Sequence, residues 1–141
     1  ATAPPKLLSQ LVDAGYTPII ASIGVTRDGQ LVNVNADALA AQLAVNLHAT
    51  TLMVVGTTAG VLDIDQRSLP RVNDEDIERL VANGVISAGM VAKLTSCRAA
   101  RQGGVPNVRI IDGRTSIDVN GGTGTIIDTA TVVPEKEKAK L

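Results

Sequence analysis

Phenylalanine and tryptophan are absent from the chain, and Tyr16 is its only aromatic residue. The core must therefore be built from aliphatic side chains, and the stacking platforms that hold single-stranded nucleic acids are missing. There is no excess of positive charge either. The formal net charge is −1, from 13 Lys and Arg against 14 Asp and Glu, which excludes the basic field that binding to a phosphate backbone requires. Nucleic acid is thus not an expected partner. Cys97 is the sole cysteine, so neither an intrachain disulfide nor a cysteine metal cluster can form, and a reducing, cytoplasmic setting suits such usage. No apolar run approaches the roughly 20 residues that cross a bilayer, so no membrane partner is expected. The opening Ala1-Thr2-Ala3-Pro4-Pro5-Lys6 has neither an initiator Met nor the apolar core of a signal peptide. It reads as a chain that begins inside a larger protein.

What is present is an aliphatic, moderately charged chain of 141 residues, 45% apolar and 19% charged, the balance of one compact globular domain. Helical and strand patterns alternate along it, which predicts an α/β layer fold. Pro4-Pro5 opens a helix with Leu7, Leu8, Leu11 and Val12 at helical spacing, stopped by Gly15. The run Thr17 to Ile23 is apolar enough for a strand covered on both faces. Gly24 to Asn35 should form a hairpin turning at Arg27-Asp28-Gly29-Gln30, because Asp-Gly readily supplies positive φ. A helix follows from Ala36 to about His48, with Leu39, Leu43 and Leu47 on one face.

Thr51 to Val55 is the clearest buried strand and exits into Gly56-Thr57-Thr58-Ala59-Gly60. Residues 63–72 are rich in turn formers. Asn73, with Asp76 three residues on, predicts the cap of a helix to about Ala82, closed by Asn83-Gly84. A longer helix spans Ala88 to Gln102 and stops at Gly103-Gly104. Val108 to Ile111 is the next strand, leaving through Asp112-Gly113-Arg114, and Thr123 to Ile127 is the last. The charged tail, 134–141, should fray. The expected architecture is a three-layer α/β sandwich with a mainly parallel sheet and helices on both faces. The hairpin and the last strand would add antiparallel elements at its margin.

In open α/β sheets, ligands gather beyond the carboxyl ends of the parallel strands. Three segments sit at such exits: Asn33 to Asp37, Gly56 to Gly60, and Asp112 to Arg114. Glycine there lets backbone N–H groups approach a phosphate closely. Taken alone, these residues indicate an anion or nucleotide crevice. Each also has a plainer reading. Asn35 and Asp37 could cap a helix and complement its dipole, and Lys93 could be a solvated surface charge. His48 reads as structural, Cys97 as core packing beside Met90 and Leu94, and Asp63 and Asp65 as solvated turn residues.

Four motifs in register go further. Asn33-Val34-Asn35-Ala36-Asp37 resembles the N-[VI]-N-A-D segment of acetylglutamate kinases. Gly84 to Lys93 resembles their G-[VI]-I-x-x-G-M-x-x-K segment, Ile110 to Arg114 matches I-I-D-G-R, and Gly122 to Thr125 is similar to the closing G-T-x-[IL] strand. The resemblance implies the C-terminal, ATP-binding half of an amino-acid kinase. It implies transfer of a phosphoryl group from ATP, with Mg2+, to the side-chain carboxylate of N-acetyl-L-glutamate in arginine biosynthesis. Lys93 and Asp37 would be catalytic, the lysine neutralising phosphate charge and the aspartate organising it. Asn33 and Asn35 would bind the amino-acid substrate. Gly56, Thr57, Thr58, Gly60, Gly89, Met90 and Lys93 would border the nucleotide. No residues are assigned to a protein-held metal.

The sequence departs from the family pattern in three places. It contains no K-x-G-G segment, which in the family supplies a second catalytic lysine. Thr57 stands where the family has the Asp of T-D-V-P-G. Only Thr115 to Gly121 join Arg114 to the last strand, where the family places a short helix. Two alternatives stay open: a truncated nucleotide-binding or subunit-association module without turnover, or a kinase for a related substrate such as an aminoadipate derivative. A homo-oligomer, or association with another chain, is expected to cover surface left bare.

Overall fold

The computed structural model describes residues 5–114 and 124–128. Its elements run α1 (Lys6–Asp13), β1 (Ile23–Val25), β2 (Leu31–Asn33), α2 (Ala36–Asn46) and β3 (Thr51–Gly56). They continue with β4 (Arg71–Val72), α3 (Asp74–Ala82), α4 (Ala88–Gln102), β5 (Asn107–Asp112) and β6 (Thr125–Ile127). The residues joining Arg114 to the last strand, Gly122-Thr123 of the closing motif, and the tail 134–141 lie outside the described residues.

The helix starts follow from local chemistry. A helix leaves its first N–H groups unpaired, and each long helix here supplies a side-chain oxygen for one of them. The Asn35 side chain accepts from the Ala38 N–H at 3.0 Å, and the Ser87 hydroxyl from the Met90 N–H at 3.3 Å. At α3 the arrangement is reciprocal: Asn73 accepts from the Asp76 N–H, and the Asp76 carboxylate accepts from the Asn73 N–H. α2 ends differently from expectation. His48, at φ 51°, occupies the left-handed position past the helix where glycine is usual, and its N–H donates to the Val45 carbonyl.

Four strands form the main sheet in the order β3-β5-β6-β4. β3 and β5 pair in parallel, as do β4 and β6, whereas β5 and β6 are antiparallel. Leu52 and Val54 of β3, with Val108 and Ile110 of β5, point to one face and join a single aliphatic core. α4 lies on that face through Leu94, Cys97 and Ala100, α2 adds Ala41 and Ala44, and α3 adds Ile77 and Leu80. Burying a side chain the size of Leu94 contributes about 1.5–3 kcal/mol. On the opposite face Val55 is exposed, Met53 and Arg109 are half-buried, and Ile111 is buried.

Several sequence expectations are corrected. The hairpin forms as predicted, with Gly29 at φ +86° closing its three-residue loop, but β1 and β2 make a separate two-stranded sheet rather than a margin of the main one. The last strand is likewise not marginal, since β6 lies between β5 and β4. Residues 17–21 form no strand, and Ile19 is 97% exposed. A ladder needs a neighbour, and among the described residues this run has none. On α2 the leucines 39, 43 and 47 are only half-buried, because the helix turns its alanines toward the core.

One buried hydroxyl ties the sheet to the loop after β3. Thr125 is fully buried, donates to the Leu69 carbonyl at 2.6 Å and accepts from the Val61 N–H at 2.8 Å. Its neighbour Gly124 sits at φ +90°, and a Cβ there would run into the Ile110 carbonyl. Gly124→Ala combines a disfavoured backbone conformation with a clash against rigid backbone. It should cost about 2–4 kcal/mol, measured as a lowered urea midpoint; a change within error would show that β5 and β6 can separate locally without cost.

Candidate functional site

β3 and β5 end side by side: Gly56 is in register with Asp112, and the Gly113 N–H donates to the Gly56 carbonyl at 2.9 Å. Above this end of the sheet two helices begin. α2 starts at Asn35 and α4 at Ser87, and both starts border one cleft of about 370 Å³. Free N–H groups and the positive end of the helix dipole make each start a favourable place for an anion.

The cleft gathers most of the residues singled out in the sequence. Asn35 and Asp37 come from the start of α2, Gly56, Thr57 and Thr58 from the exit of β3, and Gly89, Met90 and Lys93 from the first two turns of α4. Ser87 and Ala92 join them; sequence reasoning passed over both. For Ser87 a signal existed, because a serine directly before a helical pattern is a capping signature. Two residues fall elsewhere. Asn33 ends β2 and does not line the cleft. Gly60 lies behind it, buried, at φ +121°, where a Cβ would meet the Thr125 hydroxyl.

At the centre is an ion pair. The Lys93 ammonium donates to both carboxylate oxygens of Asp37, at 3.0 and 3.1 Å. The two side chains remain 27% and 21% exposed, so the pair is ordered yet reachable. A partly exposed pair stabilises a fold by about 1 kcal/mol or less. Its clearer effect is to fix where the Lys93 ammonium stands in the cleft.

The glycines of the cleft are not required by the fold. At Gly89 an added Cβ would meet only the Ser87 hydroxyl at 4.0 Å, and at Gly56 nothing nearer than 3.8 Å. Neither has positive φ. Their bareness leaves room inside the cleft rather than relieving strain. Asn35 is already committed in part, since its side-chain oxygen caps α2.

Groups outside the cleft take structural roles. Cys97, one turn beyond Lys93, is fully buried. Burial pushes its thiol up to about 12, the Asp37 charge adding to the effect and Lys93 opposing it. A thiolate nucleophile is therefore excluded there. Asp112 is held down at about 2, first by the side-chain hydrogen bonds from Arg114 and then by the Arg114 backbone N–H. Asp63 accepts from the N–H groups of Asp65 and Arg67 at 2.9 Å each, which organises a turn. Among the described residues no group of three His, Cys, Asp or Glu is placed to hold a metal ion. Asp37, the one carboxylate of the cleft, already faces Lys93, so these donors do not fit a protein-held magnesium site.

Residues 4–112 match the amino acid kinase family. The chain is 40% identical over 127 residues to an acetylglutamate kinase of Afipia carboxidovorans, covering 86% of this chain and 43% of that protein. Among solved structures it is similar to smu.665 of Streptococcus mutans UA159, with a TM-score of 0.77 and 31% identity, over 89% of this chain and 49% of that one. The N-acetylglutamate synthase of Neisseria gonorrhoeae shares the fold at a TM-score of 0.79 and 23% identity, over 89% of this chain and 31% of that one. The chain thus spans less than half the length of the curated relatives that it matches. With the family match covering most of its residues, the chain belongs to the amino acid kinase family.

Proposed function

We propose that this chain forms the ATP-binding part of an enzyme that phosphorylates the side-chain carboxylate of N-acetyl-L-glutamate in arginine biosynthesis, in the cytoplasm. The observation that carries this reading is the Lys93–Asp37 pair, set in a cleft where two helix starts converge. In the reaction a carboxylate oxygen of the substrate bonds to the γ-phosphorus while the bond to the bridging oxygen breaks, and ADP leaves. Such a transfer needs positioning and charge neutralisation rather than a covalent intermediate. Lys93 supplies the neutralising charge and Asp37 keeps it in place. The helix starts at Ser87 and Asn35, with the bare backbone at Gly56 and Gly89, offer N–H groups to phosphate oxygens. Thr57 and Thr58 supply hydroxyls to the same space. Magnesium accompanies ATP on its own phosphate oxygens and is assigned no ligand here.

Lys93→Ala should weaken ATP binding about 10- to 100-fold by calorimetry, the loss of a charge-assisted contact worth about 1.5–3 kcal/mol; unchanged affinity defeats the proposal. If Asp37 acts only through Lys93, the Asp37→Ala/Lys93→Ala double variant should bind ATP no worse than Lys93→Ala alone. Additive losses would instead mean that Asp37 meets the nucleotide directly. Gly89→Ala separates binding from folding. Alanine is the better helix former by up to about 1 kcal/mol, so Tm should hold or rise while ATP affinity falls by about tenfold. Retained affinity would place the phosphates elsewhere.

A further inference from the structure

The cleft around Lys93 has a smaller neighbour. A hollow of about 110 Å³ shares Thr58, Ser87 and Met90 with it and is otherwise lined by Leu62, Val85, Ile86 and Gln66. No side chain of this hollow is charged. It is a poor seat for a phosphate or a carboxylate, and a good one for a flat, uncharged ring with a polar edge. Its hydroxyls are partly committed: Thr58 donates to the Gly60 carbonyl at 2.8 Å, and Ser87 accepts from the Met90 N–H. The side-chain amide of Gln66 has no hydrogen-bond partner among the described residues, which leaves both its donor and its acceptor free.

The backbone beneath that amide is held in a costly conformation. Leu62 and Ser68 are bridged as the ends of a tight turn, which Asp63 fixes by accepting from the N–H groups of Asp65 and Arg67. The Gln66 N–H donates to the Asp63 carbonyl at 3.1 Å, and the residue sits at φ 61°. Glycine or asparagine is usual at such a position. His48, the other described non-glycine residue at positive φ, closes a helix; Gln66 closes none. Strain of this kind clusters where a side chain meets a ligand, and here the strained residue borders the hollow beside the cleft.

We infer that Gln66 selects the nucleotide by its base, its amide pairing with the N6 amino group and N7 of an adenine. Leu62, Val85, Ile86 and Met90 supply apolar walls for the ring. On that edge adenine presents a donor beside an acceptor, which match the oxygen and the nitrogen of the amide. Guanine presents two acceptors there, O6 and N7, which a glutamine amide cannot satisfy in either orientation. Gln66 lies outside the four motifs and outside the residues that the resemblance places at the nucleotide. It would set which nucleotide is used without touching the phosphates. The inference rests on the nucleotide reading of the cleft.

The test compares calorimetric affinities of the full chain and of its Gln66→Gly variant for ATP, GTP and 7-deaza-ATP. The parent chain should prefer ATP over GTP by about 10- to 100-fold, the range of one bidentate contact. It should prefer ATP over 7-deaza-ATP by about two- to tenfold, for the single hydrogen bond lost. Gln66→Gly relieves the backbone, so Tm should hold or rise while both preferences fall to near unity. A parent chain that binds GTP as well as ATP would overturn the inference, as would a preference for ATP that survives in the folded variant. If none of the three nucleotides binds, the nucleotide reading itself fails and takes this inference with it.

Discussion

The site depends on how closely α2 approaches α4. The contact is made of small residues: Ala41 and Ala44 on α2 and Ala100 on α4 are buried, and a Cβ at Gly103 would collide with Val45. Larger side chains would push the helices apart. With alanine and glycine between them, the first turn of α2 and the second turn of α4 lie within one lysine side chain of each other. That distance lets Lys93 reach both oxygens of Asp37. The same packing sets the two helix starts at one strand exit and opens the cleft. Core composition and site geometry are thus one constraint, expressed at two depths of the same helix pair.

Charge placement follows from it. A carboxylate in the first turn of a helix is already favoured by the dipole, so Asp37 would be at ease without a partner. Lys93 lies too far along α4 to complement a helix end. Their pairing therefore fixes the lysine more than the aspartate. Thr57, where the family pattern has an acid, leaves the cleft with Asp37 as its one carboxylate.

Much of this was legible in the sequence, and the parts that were not have physical causes. Helix limits were readable because caps are local: Asn35, Asn73 and Gly103-Gly104 act on backbone within four residues. The cleft residues were readable only because motifs in register linked them, since nothing local ties Asp37 to a lysine 56 residues on. Sheet order was not readable. The antiparallel insertion of β6 between β5 and β4 depends on long-range pairing, and a three-residue strand carries little pattern. The run at 17–21 misled because hydropathy reports what a segment could bury, not whether a neighbour is there to cover it. Alanines on α2 were hidden for the opposite reason, as leucines draw attention by size.

Cys97 gives the helix pair an intrinsic clock. It is the only thiol of the chain, it is fully buried, and it lies one turn beyond Lys93 on the face of α4 that packs into the core. A thiol reagent can reach it only when that packing opens. Its rate of modification therefore measures the free energy of local opening beneath the site, without any introduced label. A ligand that draws α2 and α4 together would slow this clock. Occupancy of the cleft can then be followed through an atom that never touches the ligand.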